Sequence, residues 1–272
     1  EVHRRIRRRR RMCIRDRSEA RERAMKGSGE VARVTGAAAG IGRTSAKRWA
    51  EEGLRGLVIL DTDPVGLEKT ADLVSGAEIL IIQCDVTNDV SLADAYQQMT
   101  DHFSALDIVF NNAGIVSGPP PFPDTALARM KRVVDIDLTS VIQSSALAIR
   151  FMREHGGGVI INTASTGGLN PYLADAPYAA AKAGVIMFSR SCADLHAQCG
   201  IRVNAVCPGV TDTPILEKTG GGKRPDWLVP LLENIKALTP EDIGQAVINI
   251  IQDDDMAGEF VVLQNQQKQT GT

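Results

Sequence analysis

Thr35-Gly36-Ala37-Ala38-Ala39-Gly40-Ile41-Gly42 follows the apolar run Val31–Thr35 and opens a helical pattern over 41–53. Glycine at these positions permits a tight turn, close approach of the backbone to a pyrophosphate, and tight helix–strand packing. The start of the helix adds unpaired N–H groups and the positive end of its dipole, which suit phosphate. Glycines also collect in ordinary turns, so the weight lies in the context: strand before, helix after, and an acid closing the next strand. That acid is Asp61, 25 residues beyond Gly36. A carboxylate there accepts hydrogen bonds from both hydroxyls of a ribose and repels a 2′-phosphate. Asp63 adds to the repulsion, and residues 37–39 hold no base. The pattern favours NAD over NADP.

Outward from this turn, strands are expected at Val31–Thr35, Leu57–Asp61, Ile79–Cys84, Ile108–Asn111, Val159–Thr163, Ile201–Val206 and Phe260–Leu263, with helices near 41–53, 64–75, 89–104, 125–155, 177–199 and 240–252. The apolar runs are continuous and β-branched, as in strands covered on both faces. Their alternation with helices predicts one α/β domain, a Rossmann-like doubly wound parallel sheet of about seven strands with helices on both faces. Arg33 conflicts with this reading, because a buried parallel strand calls for an aliphatic residue. An edge position or an erroneous residue would account for it.

Composition sets the outer limits. The 272 residues are 43% hydrophobic, 24% charged and 4% aromatic, ordinary for a globular chain. No stretch approaches the 18 or so apolar residues of a membrane span. The net charge of −2 hides an asymmetry: residues 1–26 carry 12 Lys and Arg against 4 Asp and Glu, and the remainder carries 19 against 29. An acidic body is a poor binder of nucleic-acid phosphates. Residues 1–24 read as a non-native or disordered basic arm, with a natural start expected at Met25. They are followed by a dinucleotide-binding domain over 25–264 and a tail over 265–272. Cys13, Cys84, Cys192, Cys199 and Cys207 form no C-x-x-C pair and have no histidine at metal-ligand spacing. They read as reduced thiols of a cytoplasmic protein without a metal, Cys192 and Cys199 two turns apart on one helix.

The spacing G-x-x-x-G-x-G after a threonine resembles the short-chain dehydrogenase/reductase family, and further motifs follow in order over residues 29–263. Asn111-Asn112-Ala113-Gly114 resembles the family's N-N-A-G, and Asp85-Val86 the pair that holds adenine. Pro208-Gly209-Val210-Thr211-Asp212-Thr213 resembles the loop that grips the nicotinamide carboxamide, through the Val210 backbone and the Thr213 side chain. The cofactor contacts that the resemblance implies are Gly36, Gly40, Ile41, Gly42, Asp61, Asp85, Val86, Asn112, Ala113, Gly114, Tyr178, Lys182, Pro208, Gly209, Val210 and Thr213. The stretches Gln83–Val86, Asp101–Phe103 and Asp253–Val262 look like the family's hydroxyprostaglandin-dehydrogenase branch, which oxidises secondary alcohols with NAD.

Tyr178-Ala179-Ala180-Ala181-Lys182 puts a phenol and an ammonium one helical turn apart on one face. Y-x-x-x-K is common on helix surfaces, but here it follows the fifth strand, where a sheet edge would carry it to the cofactor. A tyrosine titrating near 10 is a poor base at neutral pH, and a nearby ammonium is expected to lower that value and fit it for proton transfer. The resemblance makes Lys182 a ribose ligand as well, and Ser165 the hydroxyl that orients the reacting oxygen. No G-x-S-x-G surrounds Ser165, so a hydrolase nucleophile is not indicated. Where the family usually has asparagine, Ile136-Asp137-Leu138 carries Asp137, which when ionised only accepts hydrogen bonds. It completes the expected catalytic set and puts the proton relay in question.

Two segments are expected to cover the nicotinamide: 115–127, with Gly118-Pro119-Pro120-Pro121-Phe122-Pro123, and a lid over 209–237, with Gly220-Gly221-Gly222 and Trp227-Leu228-Val229-Pro230-Leu231-Leu232. Their apolar content points to a small hydrophobic alcohol or ketone. Ala-rich helices 125–155 and 177–199 resemble the family's subunit interfaces and imply a homodimer or homotetramer. An NADP-dependent ketoreductase and a non-catalytic nucleotide-sensing protein on the same fold are the alternatives, the first opposed by Asp61 and the second favoured only by Asp137.

Overall fold

β1 (Val31–Thr35) lies inside a seven-stranded parallel sheet of order β3-β2-β1-β4-β5-β6-β8, in a computed structural model that describes residues 29–172, 175–225 and 228–268. The basic arm, Met25 and Trp227 fall outside the described residues. In chain order the sheet strands are β2 (Gly56–Asp61), β3 (Glu78–Gln83), β4 (Ile108–Asn111), β5 (Gly158–Thr163), β6 (Ile201–Pro208) and β8 (Phe260–Leu263). The chain winds outward from β1 to β3 and then returns to β4 on the other side of β1. The resulting switch point leaves a crevice at the C-terminal ends of β1 and β4.

The helices are α1 (Gly40–Glu51), α2 (Pro64–Ala71), α3 (Asp89–Phe103), α4 (Leu127–Val134), α5 (Ser140–Glu154), α6 (Ala176–Ser191), α7 (Leu195–Cys199), α8 (Ile215–Thr219), α9 (Leu228–Asn234) and α10 (Pro240–Gln252). Successive residues of β2 face opposite ways, as strand geometry demands. Val58 and Leu60 pack with Leu92, Tyr96 and Met99 of α3 and with Met152 of α5. Leu57 and Ile59 pack with Trp49 of α1 and Ile243 and Val247 of α10. Both faces are thus covered, which explains the continuous apolar runs.

The expected single helix over 125–155 is three pieces, with a π-helical turn, Asp135–Thr139, between α4 and α5. Such a turn inserts one residue and shifts the faces that follow, a change too small to register in a long amphipathic pattern. The expected helix over 177–199 breaks after Ser191, so Cys192 and Cys199 do not share a helix. Within the segment assigned to a tail, β9 (Gln266–Gln267) pairs antiparallel with β7 (Ile235–Lys236).

Arg33 is neither at an edge nor solvent-exposed. Its Nη2 donates to Asn111 Oδ1 at 2.6 Å and to Ser144 Oγ at 2.5 Å, and the guanidinium lies 4.8 Å from the Tyr96 ring centre. Asn111 in turn donates to Asn162 Oδ1 at 2.8 Å, and Asn162 to Ser189 Oγ at 3.0 Å. This polar ladder crosses β1, β4, β5 and α6 and supplies the acceptors that the strand pattern alone could not reveal. A second buried arginine, Arg202 of β6, donates to the carbonyls of Ile250, Ile251 and Asp253. It thereby satisfies the unpaired C-terminal carbonyls of α10.

At the N-terminal end of β1, away from the crevice, burial and then the charge of Asp107 push the Glu30 carboxyl up to about 7, Arg202 pulling the other way and Asp254 adding to the rise. The unfolded chain gives up this proton from about pH 4.5, while the folded chain keeps it to about 7. Between these values the folded state holds the extra proton, so stability declines as pH rises. Melting temperature is expected to fall by roughly 2–4 °C from pH 5 to pH 8, solvent screening having reduced the effect to about 1 kcal/mol. Glu30→Gln removes that slope. An unchanged slope in the variant, followed by circular dichroism, refutes the assignment.

Candidate active site

A cavity of about 810 Å³ opens at the C-terminal ends of the strands. Of the catalytic and cofactor-contact residues expected from the sequence, all line it except Gly42, which is buried beneath: Gly36, Gly40, Ile41, Asp61, Asp85, Val86, Asn112, Ala113, Gly114, Asp137, Ser165, Tyr178, Lys182, Pro208, Gly209, Val210 and Thr213.

The glycine turn forms one end. Gly36 has φ +67°, and a Cβ there would come 2.9 Å from Ala113 Cα. A Cβ on Gly42 would lie 2.2 Å from the Gly36 carbonyl oxygen, so neither position tolerates a side chain. Thr35 fixes the turn against β4, its Oγ1 accepting from the main-chain N–H groups of Asn112 and Ala113 at 3.0 and 3.1 Å. Ala39 precedes α1 as its N-cap and offers no side-chain hydrogen bond, whereas Asp63, Asn88, Asp175 and Thr239 cap α2, α3, α6 and α10. The first-turn N–H groups of α1 are therefore left for another acceptor.

Asp61 Oδ2 accepts the Ala38 N–H and Oδ1 the Asp63 N–H, both at 3.1 Å, which anchors this carboxylate at the mouth of the turn. Arg43, not weighed in the sequence, is the nearby base. Its guanidinium is spent beneath the turn on the carbonyls of Ala38 and Gly66 and on Thr70 Oγ1. Asp85 is held below the usual carboxylate range by the hydroxyl and N–H of Thr87, against some burial, with Arg132 3.7 Å away.

Tyr178 and Lys182 project from α6, whose start is fixed by Asp175. That carboxylate accepts from the Tyr178 N–H at 3.1 Å and from the N–H and hydroxyl of Ser117 at 2.6 and 2.8 Å. Asp175 was not picked out in the sequence, although an aspartate two residues before Pro177 is a helix-start signal. Ser165 hydrogen-bonds Tyr178 and also accepts the Gly167 N–H at 3.0 Å.

The ammonium of Lys182 lies 5.5 Å from the Tyr178 ring centre, donates to the Thr163 carbonyl at 2.9 Å and sits 3.1 Å from Asp137 Oδ2. Asp137 is fully buried in the π turn, and its Oδ1 accepts the Ile115 N–H at 2.9 Å. Burial raises its carboxyl above the usual value, against the pull of Lys182. Lys182 was expected to lower the Tyr178 phenol, and here the geometry departs from expectation. Burial first, then the charge of Asp137, hold the phenol above its ordinary value, Ser165 working the other way and Asp175 adding to the rise. The cation that should have favoured the phenolate is already answered by Asp137.

The Val210 main chain is also committed. Its N–H donates to Asn265 Oδ1 at 2.8 Å, and its carbonyl accepts from Asn265 Nδ2 at 2.7 Å and from the Leu238 N–H at 2.9 Å. No local signal in the sequence marks Asn265. At the outer end, Leu216 of α8 and Leu228 and Leu231 of α9 line the cavity with Tyr172. From the segment 115–127 only Ile115 and Val116 reach the lining; Phe122 is 50% exposed, and the proline-rich stretch stands clear of the cavity.

The short chain dehydrogenase family model matches residues 30–223. The mouse (Mus musculus) 15-hydroxyprostaglandin dehydrogenase (NAD(+)) is 34% identical over 249 residues, covering 86% of this chain and 89% of that one. The cis-4-hydroxycyclohexanecarboxylate dehydrogenase of Sinomonas cyclohexanicum is 35% identical over 235 residues, covering 85% and 92%. The crystal structure of levodione reductase superposes with a TM-score of 0.79 at 30% identity, covering 86% of this chain and 95% of that one. The matched residues run from the strand before the glycine turn through the Tyr178–Lys182 helix and beyond it. With fold, site and sequence in agreement, this chain is an oxidoreductase that belongs to the short-chain dehydrogenase/reductase family.

Proposed function

We propose that the protein is an NAD-dependent oxidoreductase acting on a mainly hydrophobic secondary alcohol or the corresponding ketone. The observation that carries this reading is one cavity lined both by the uncapped start of α1 and by the half-buried phenol of Tyr178. These residues fit a nicotinamide dinucleotide: bare glycine backbone and free helix N–H groups for the pyrophosphate, and Asp61 for the ribose hydroxyls. When bound, that group supplies or takes up the hydride. Tyr178 exchanges a proton with the substrate oxygen and Ser165 orients that oxygen. Lys182 faces the ribose side from its place beside Thr163. Leu216, Leu228 and Leu231 screen the site from water, and the segment 209–237 acts as the lid.

Asp61 and the committed guanidinium of Arg43 support NAD over NADP. The exposed Ile142 and Met187 on α5 and α6 support a homodimer or homotetramer, and the four free cysteines among the described residues support a reducing cytoplasm. The test is purified full-length chain with NAD or NADP and a panel of apolar secondary alcohols, followed by absorbance of reduced nicotinamide. NAD-linked turnover is expected, and Asp61→Ala should raise use of NADP relative to NAD by at least about tenfold, because a like-charge clash costs several kcal/mol. Preference of the unaltered protein for NADP overturns the cofactor assignment, and tight binding without turnover favours a sensor.

A further inference from the structure

The ion pair between Asp137 and Lys182 has no part in the chemistry described so far. Both side chains are at most 3% exposed. The carboxylate cannot swing away, because its Oδ1 is tied to the Ile115 N–H while Oδ2 faces Lys182 Nζ. The ammonium's charge is answered at 3.1 Å, nearer than the 5.5 Å to the Tyr178 ring centre. In an interior of low effective dielectric, a cation neutralised at contact does little for a phenolate farther off, whereas an added carboxylate opposes it.

The other groups around the phenol do not reverse this balance. Asp175, at the start of the same helix, is a second carboxylate. Tyr172, from the preceding loop, is neutral and stands ring to ring at 6.0 Å. Cys207 of β6, near Ser165 and Lys182, is a buried thiol pushed up to about 11. The guanidinium of Arg129 on α4 also lines the cavity, and it is tied to the carbonyls of Val116 and Ser117.

We propose that Asp137 is a positioning residue that sets, through Lys182, the pH at which Tyr178 turns from proton donor to proton acceptor, and places it in the alkaline range. At neutral pH the site therefore meets its substrate as a proton donor, the form that suits a ketone. The carbonyl carbon then gains a hydride from reduced nicotinamide and the C=O π pair moves onto oxygen. That oxygen takes the phenolic proton, and water returns a proton to the phenolate. Alcohol oxidation is the same path reversed and climbs with pH up to the same limit. This inference rests on the oxidoreductase reading for its kinetic part and on the ion pair alone for its titration.

Asp137→Asn removes the charge and keeps an acceptor for Ile115. The cofactor-free protein is titrated by the ultraviolet absorbance of tyrosinate, with Tyr178→Phe subtracted to isolate Tyr178. In the unaltered protein Tyr178 is expected to remain a phenol through its ordinary value of 10, and in Asp137→Asn to ionise about one pH unit or more lower than in the parent. In kcat/KM profiles, the descending limb of ketone reduction and the rising limb of alcohol oxidation shift down together by the same amount. Ionisation of parental Tyr178 at or below 10 overturns the inference, even if the variant fails to fold. Limbs and titration that stay in place in Asp137→Asn overturn it as well. A shifted titration without turnover on any substrate sinks the functional reading and leaves the ion-pair inference standing.

Discussion

Replacing Tyr178 by phenylalanine is expected to lower turnover by about 10²–10⁴-fold, the contribution of a positioned acid–base group, with a far smaller change in nucleotide affinity, since only one of many cofactor contacts is lost. Phenylalanine keeps the ring packed against Tyr172 and removes only the hydroxyl with its exchangeable proton. Tyr172 cannot take over, because its ring stands 6.0 Å away at an edge-on angle of 68°. The Ser165 hydroxyl is left without its phenolic partner and lacks a base of its own. Steady-state kcat compared with a fluorescence titration of the nucleotide separates the two effects. Appreciable turnover in Tyr178→Phe would remove the phenol from the mechanism.

Loss of Lys182 should act on stability as strongly as on catalysis. Lys182→Met leaves the Asp137 carboxylate buried without a counter-charge, and breaking one side of such a pair costs about 3–5 kcal/mol. For a domain of this size that corresponds to a drop in melting temperature on the order of 10 °C. The cost has a pH signature. The lone carboxyl titrates higher in the folded chain than in the unfolded one, so the variant regains stability as pH falls towards the ordinary value of 3.8 and loses it as pH rises. Adding Asp137→Asn to Lys182→Met should recover most of the loss, because a neutral amide tolerates burial far better than an unpaired charge. Thermal melts of the four proteins across pH form the double-mutant cycle. Equal stability of Lys182→Met and its parent would show that the contact does not bind the two charges.

What could be read from the sequence was local chemistry. Gly36 is demanded by its positive φ and Gly42 by the Gly36 carbonyl within the same turn, and Asp61 by the end of its own strand. Tyr178 and Lys182 declare themselves by a one-turn spacing. What escaped depends on partners far apart in the chain. Arg33 makes sense only when β4 and α5 bring Asn111 and Ser144 to it, and Val210 only when Asn265, 55 residues on, closes over it. The π turn hides because one inserted residue barely disturbs the hydrophobic period of a long helix. The surroundings of Tyr178 are hidden for a related reason: a spacing rule places a cation near a phenol and says nothing about a carboxylate that reaches the cation first.

The fastening of Val210 by Asn265, beside the pairing of β7 with β9, has a consequence for how the protein is made. A domain generally folds as a unit, and the glycine turn itself rests on Asn112 and Ala113 just after β4. The segment carrying Val210 and Thr213 acquires its clamp only once residues up to Gln267 have emerged. A chain that stops short of Asn265 lacks that clamp and leaves the Val210 loop unframed, which makes competence for chemistry one of the last properties the polypeptide acquires.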